Sequence, residues 1–311
     1  MKLSAATVRY VTHKQSMGMR FNTEARTLKS FCRAMGPVAM HEVEPDRVLA
    51  FLAGSGPVTQ FWQRKHEILS RFYRFAIGRG YASFSPLPPR APKPLGVFVP
   101  YIYSREDLRC LLDSITAIDN PHAQIDPRTY RALILLLYGA GLRISEALAL
   151  TRADVDLERG IPHIRDSKFY KTRLVPVGQD LLRVLMQHAA ENHKQYTNAS
   201  SPFLMSRRGD AVTRHAAELT FCRLRRYAGI TRDGGSRMQP RLHDLRHSYA
   251  IDRLVAWYKS GANVQRLLPQ LSTYLGHVHI STTQKYLTLT PELLREAGLR
   301  FERYAMGMDD E

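Results

Sequence analysis

The sequence predicts a mainly α-helical chain of two domains, the second carrying a small antiparallel β-sheet. Three observations carry this expectation. Apolar residues recur at helical spacing over most of the 311 residues. A segment at Ser85–Pro100 interrupts the pattern with six of the chain's 17 prolines, which remove backbone donors and force extended chain. A β-like stretch lies between Val155 and Val177. The length suggests two domains, and a hydrophobic fraction of 44% is enough for a core in each.

The first domain is expected at 1–92. Helix-period apolar residues run through Val8–Val11, Phe21–Met35, Val48–Leu52 and Val58–Ile77. In the last of these, Phe61, Leu69, Phe72, Phe75 and Ile77 are expected to cluster on one side. Arg64, Lys65, Arg71 and Arg74 lie among or opposite them. For any one of these cations a solvated face is the simpler reading; as a set they are candidate phosphate contacts. A linker is expected at 93–103.

The second domain is expected at 104–311. It opens at Ser104, an N-cap followed by Glu106 and Asp107 in the first turn, where acidic residues suit the helix dipole. Pro127–Tyr138 reads as a core helix, broken by Gly139 and Gly141, and Ile144–Leu150 as a short one. Val155–Leu157, Ile161–Arg165 and Thr172–Val177 are the expected strands, with a turn at Glu158–Gly160. Helices resume at Gln179–Glu191, Arg214–Ala228, Leu242–Lys259, Gln265–Leu275 and Ser281–Leu287. An amphipathic C-terminal helix is expected within 290–305.

The formal charge is +17 and the isoelectric point about 10.0. A polyanionic partner would relieve the self-repulsion of such a chain; nucleic acid comes first and an anionic membrane surface second. Residues 1–100 hold 15 Lys and Arg against 5 Asp and Glu, so the first third is the more basic per residue. The N-terminus lacks the apolar run of a signal peptide, and the longest apolar stretch, Ala132–Leu142, is too short to span a bilayer. Cys32, Cys110 and Cys222 are odd in number and far apart, with no metal-binding spacing. They are expected as reduced, partly buried thiols of a cytoplasmic protein.

Six polar residues in the last 170 positions make one chemical set: Arg143, Lys168, His243, Arg246, His277 and Tyr286. Arg143 and Glu146 are three apart at a turn-to-helix junction, so the carboxylate can hold a guanidinium that forks to a phosphate. Lys168 lies between two expected strands and can protonate a departing sugar oxygen, with Lys171 as the competing candidate. His243 and Arg246 share a face at a helix start, where anions are favoured. Arg241, just before them, is a further candidate phosphate contact. His277 precedes an expected capping run at Ser281–Thr283 and then Tyr286. A phenol has a pKa near ~10 and becomes a nucleophile when its proton is taken or when cations stabilise the transition state. The set suffices to break a DNA phosphodiester without metal or water; it includes no carboxylate cluster for a metal and no nucleotide-binding loop.

The segments GAGLRISEALAL, KFYKTRLVPV, HDLRHSYA and LGHVHISTTQKY resemble, in this order, the boxes of the tyrosine recombinases, or phage integrase family. The resemblance covers Tyr101–Tyr304 well, and residues 1–92 only as a basic helical domain similar to the family's core-binding domain. The tail TPELLREA is similar to recombinases carried by transposons and integrative elements. The resemblance implies a C-shaped two-domain clamp on double-stranded DNA at specific recombination sites. It implies that Arg143 and Arg246 clamp the scissile phosphate, that Lys168 is the general acid, and that His243 and His277 assist proton transfer. Glu146 would brace Arg143 or His243, and Tyr286 would form a covalent 3′-phosphotyrosyl link. No cofactor, metal or ATP is implied. It further implies a homo-oligomer on DNA, a cyclic tetramer coupled by the C-terminal helix, working alone or with sister recombinases. Two other readings share the motifs: a type IB topoisomerase, and a DNA-binding protein of the same fold without catalysis.

Overall fold

The computed structural model describes residues 1–54, 58, 60–92, 99–119, 122–165, 172–192, 198–288 and 291–306. The chain divides into two compact units, Met1–Phe98 and Val99–Glu311. Most of the expected linker, 93–98, lies outside the described residues. Its last residues do not behave as linker: Tyr103 is buried in the second unit and donates its hydroxyl to the Arg241 carbonyl at 3.2 Å.

Among the described residues the first unit contains four α-helices, α1 (Leu3–Ser16), α2 (Asn22–Met35), α3 (Pro45–Ala53) and α4 (Gln60–Gly78), with a 3₁₀ turn at Met40–Glu42. Pro45 opens α3, where its missing N–H and fixed φ cost nothing. The core joins Leu3, Ala6 and Tyr10 of α1, Leu28 and Phe31 of α2, Val48 and Leu52 of α3, and a stripe along α4. That stripe is Trp62, Leu69, Phe72, Tyr73 and Ala76, a recurrence close to 3.6 residues. Phe61 and Ile77, expected in the stripe, sit one position beside it and are 60% and 41% exposed.

The second unit is built around α6 (Pro127–Gly139), which follows α5 (Arg105–Asp113). The cap of α5 is as expected: Ser104 Oγ accepts from Asp107 N–H and Asp107 Oδ2 accepts from Ser104 N–H, at 3.0 and 2.9 Å. The apolar run of α6 buries Ala132, Leu133, Ile134, Leu136 and Leu137. The short α7 (Ile144–Ala149) leads to a sheet of β1 (Val155–Asp156), β2 (Ile161–Ile164) and β3 (Arg173–Leu174), antiparallel in that order. Asp156 Oδ1 accepts from the N–H groups of Glu158 and Arg159, which makes the β1–β2 turn. The strands are shorter than expected, and beyond β3 Pro176 has no N–H to donate. Pairing nevertheless extends past β3, as Val175 and Val177 donate to Pro162 and Gly160 carbonyls.

Helices α8 (Gln179–Asn192) and α9 (Arg214–Tyr227) follow, and α6 packs against α8 and α10 (Asp244–Lys259). A second apolar cluster joins α10, α11 (Val264–Leu275) and the segment after it through Ile251, Leu254, Leu268, Leu271, Leu275, Tyr286 and Leu293. The chain ends in α12 (Ile280–Gln284), a 3₁₀ turn at Lys285–Thr288 and α13 (Pro291–Ala305). Ser281–Thr283 is not a cap: α12 starts at Ile280, after His279. Cys32 and Cys110 are partly buried, whereas Cys222 is exposed. Among the described residues no helix is long and apolar enough to cross a membrane.

Candidate active site

Four chain ends converge: the turn after α6, the start of α7, the start of α10 and the end of α11. Two glycines allow it. Gly141 has φ +60°, and a Cβ there would lie 2.5 Å from the Tyr249 ring. Gly276 ends α11 with φ +67°, and a Cβ there would lie 2.8 Å from the Arg173 guanidinium.

The last carbonyls of a helix have no partner within it and carry the negative end of its dipole. At the end of α11 three consecutive carbonyls are each taken by a different arginine. Tyr274 O accepts from Arg173 Nε at 2.8 Å, Leu275 O from Arg246 Nη2 at 2.6 Å, and Gly276 O from Arg143 Nη2 at 2.7 Å. Arg246 also donates to Gly141 O at 2.6 Å and is 2% exposed. One helix terminus therefore sets the positions of three guanidinium groups drawn from β3, α10 and the start of α7.

Glu146 is the counter-charge. Its carboxylate accepts from Arg143 Nη1 at 2.5 Å and the Arg143 backbone N–H at 2.9 Å, and takes both Nη atoms of Arg173 at 3.0 and 2.8 Å. Arg246 Nη1 stands 3.8 Å away. Burial alone would raise the Glu146 pKa, but the Arg173 fork and the Arg143 bonds hold it down to about 2. Three guanidinium groups share one carboxylate, so the cluster keeps excess positive charge. Arg143, with its side chain 20% exposed, is the member that faces outward.

His277 continues the chain of contacts. Its Nε2 lies 3.1 Å from Arg246 Nη2 and its Nδ1 lies 2.7 Å from Thr283 Oγ1. A guanidinium only donates, so Nε2 accepts and Nδ1–H donates to the threonine. Burial, then Arg246 and Arg143, depress His277 to about 3, which keeps the ring neutral. Tyr286, 3% exposed, stacks near His277 with centroids 6.1 Å apart. Its hydroxyl lies 3.0 Å from His247 Nδ1. Burial raises the phenol's pKa, while Arg246 and Arg143 and a hydrogen bond from Arg246 oppose this. The His247 ring meets His243 edge to face at 5.0 Å, and burial first of all depresses both to about 4.

The structure thus brings Arg143, Glu146, His243, Arg246, His277 and Tyr286 into one cluster. Glu146 braces Arg143 and makes no described bond to His243. Lys168 and Lys171 lie outside the described residues. Arg241 is held through its guanidinium by the buried carboxylate of Asp244 at 2.8 Å. On α4, Arg64, Arg71 and Arg74 are exposed, with Glu24 and Glu67 at 3.9 and 3.7 Å from the first two. Lys65 turns inward: its ammonium donates to Phe51 O at 2.6 Å and lies 4.5 Å from the Phe51 ring centre. Three members of the cluster were missed from the sequence. Arg173 stood in a strand without a role, Thr283 was read as a cap, and His247 stood unassigned inside HDLRHSYA. The signal for His247 was its place one residue after Arg246.

The sequence model of the phage integrase family matches residues 111–292. The putative integrase/recombinase y4rE of Sinorhizobium fredii is 34% identical over 296 residues, covering 94% of this chain and 93% of that protein.

This chain belongs to the phage integrase family.

It is a tyrosine recombinase, a member of a family of enzymes that cut and rejoin DNA strands. Solved integrases share the fold. The Tn1549 transposon integrase in complex with a circular intermediate DNA has a TM-score of 0.70 at 17% identity, covering 96% of this chain and 99% of that one. A lambda integrase tetramer bound to a Holliday junction has a TM-score of 0.66 at 17% identity, covering 90% and 78%.

Proposed function

We propose that this recombinase serves a mobile element, cutting and rejoining its DNA ends through a covalent 3′-phosphotyrosyl intermediate. One observation carries the reading: Arg143, Glu146, Arg246 and His277 form a continuous chain of ion pairs and hydrogen bonds that ends against the Tyr286 ring.

Phosphoryl transfer spreads negative charge over the phosphate oxygens, and cations fixed in advance stabilise it without reorganising. Arg143 and Arg246 clamp the non-bridging oxygens, held by Glu146 and the end of α11. Tyr286 attacks phosphorus and the 5′ oxygen leaves. Lys168 protonates that oxygen, and His243 and His277 assist through their neutral rings. The new O–P bond conserves the energy of the broken one, so a 5′-hydroxyl from another strand reverses the step and neither ATP nor a metal takes part.

The first unit supplies sequence-independent attraction for double-stranded DNA, through its net basic charge and the exposed Arg64, Arg71 and Arg74. The protein assembles on its sites as a cyclic oligomer. Leu293 anchors α13 inside its own unit, while Leu294, Leu299 and Phe301 point outward and suit a neighbouring copy. The oligomeric, DNA-bound integrases of the same fold support this.

A plasmid carrying two copies of the element's ends tests the function. Incubated with the protein in EDTA, it should give recombinants, and none with Tyr286→Phe. Relaxation of plasmids lacking those ends, without recombinants, contradicts the proposal. In the same assay Leu294→Glu with Phe301→Glu should leave single-site binding intact and abolish recombinants; unchanged recombination contradicts the role of α13.

A further inference from the structure

We propose that His247 is a further catalytic residue: its Nδ1 takes the Tyr286 proton during attack and returns it during rejoining. The proposal rests on the reading of Tyr286 as the nucleophile.

The geometry gives the phenol a base within reach: His247 Nδ1 lies 3.0 Å from the Tyr286 oxygen, close enough to take its hydrogen. Arg246 and Arg143 favour the ionised phenol by their charge. The other nearby imidazole is not available for this. His277 commits Nε2 to the Arg246 guanidinium and its Nδ1–H to Thr283. Among the described contacts, His243 meets the His247 ring edge to face rather than the tyrosine.

The groups around His247 are Tyr286, His243, Asp244, Arg241 and Arg246. Burial dominates and keeps the ring neutral, and in the tautomer that carries its hydrogen on Nε2 the Nδ1 lone pair faces the phenol. Arg241 and Arg246 lower its proton affinity further, and Asp244 opposes them. A phosphodiester held by the arginines brings a negative charge that offsets their field and raises the affinity of His247 as the reaction begins.

The step balances. The Tyr286 O–P bond forms as the P–O5′ bond breaks; the phenolic proton moves to His247 Nδ1, and the 5′ oxygen takes its proton from the general acid. In rejoining, imidazolium His247 returns the proton to the departing tyrosine oxygen as the 5′-hydroxyl attacks.

The test measures single-turnover adduct formation on nicked suicide substrates, with oxygen or sulfur as the bridging 5′ atom. The full-length protein is compared with His247→Ala and His247→Asn, whose amide oxygen accepts a hydrogen bond near the Nδ1 position but takes no proton. Melting temperature and DNA affinity are recorded for each, and His247→Asn decides if His247→Ala does not fold. A general base contributes about 10²–10⁴-fold, so adduct formation should fall at least 100-fold in both variants with DNA affinity unchanged. The sulfur substrate, whose leaving group needs no acid, should not restore the rate. A rate in His247→Asn equal to the parent's makes the residue positional and overturns the proposal, as does rescue by sulfur, which places it on the leaving-group side. Tyr286→Phe separates the underlying reading. If the parent's adduct persists in that variant, the tyrosine assignment has failed, and the proposal with it.

Discussion

Replacing Glu146 with alanine should lower the melting temperature of the chain by about 6–20 °C. Removing one partner of a buried ion pair costs about 3–5 kcal/mol, and each kcal/mol shifts a domain of this size by about 2–4 °C. The cost is at the high end of ordinary substitutions because Glu146 serves three guanidinium groups at once. Without it, Arg143, Arg173 and Arg246 repel one another around an uncompensated centre. Glu146→Gln keeps the shape and isolates the charge. The pKa of Glu146 falls from the ordinary 4.5 to about 2 on folding. Its contribution is therefore full above pH 4.5 and is lost as pH falls towards 2. The glutamine variant should lack that acid limb in a plot of stability against pH. A melting temperature within 2 °C of the parent in both variants contradicts this account.

Arg246→Lys should slow single-turnover strand cleavage by about 10²–10³-fold, the size expected when one preorganised donor to the reacting phosphate is removed. An ammonium has the charge but not the fork. Arg246 reaches Gly141 O and Leu275 O with two different nitrogens while its Nη2 also meets His277, and a lysine cannot reproduce all three. The proposed phosphate contact then loses its fixed direction. DNA affinity should change far less than the rate, because most of the attraction comes from other basic residues. Gel-shift titration beside rapid-quench cleavage separates the two, and equal losses in affinity and rate would count against a transition-state role.

How far the sequence could be read follows from the range of each interaction. The core helix α6, the short α7 and the start of α5 at Ser104 were legible because periodicity, glycines and caps act within a few residues. The cluster was legible because the four boxes occur in order, and the Arg143–Glu146 pair because it spans one helical turn. What stayed hidden depends on distant chain. Arg173 belongs to the site only because Glu146, 27 residues earlier, folds against it. Thr283 looked like a cap because hydroxyls often are caps, yet its oxygen is occupied by His277. Lys65 looked like a phosphate contact, yet its ammonium finds the Phe51 carbonyl on α3. The sharing of the α11 terminus among three arginines has no local signature at all.

The most direct test of the central claim is the covalent link itself. Suicide substrates made from the element's DNA ends, nicked beside the cleavage position, are incubated with the protein in EDTA, and the denaturant-resistant adduct is digested to map its attachment. The account predicts a 3′-phosphoryl adduct on Tyr286 that disappears in Tyr286→Phe. Tight binding to these ends with no adduct, or an adduct on another residue, would contradict it.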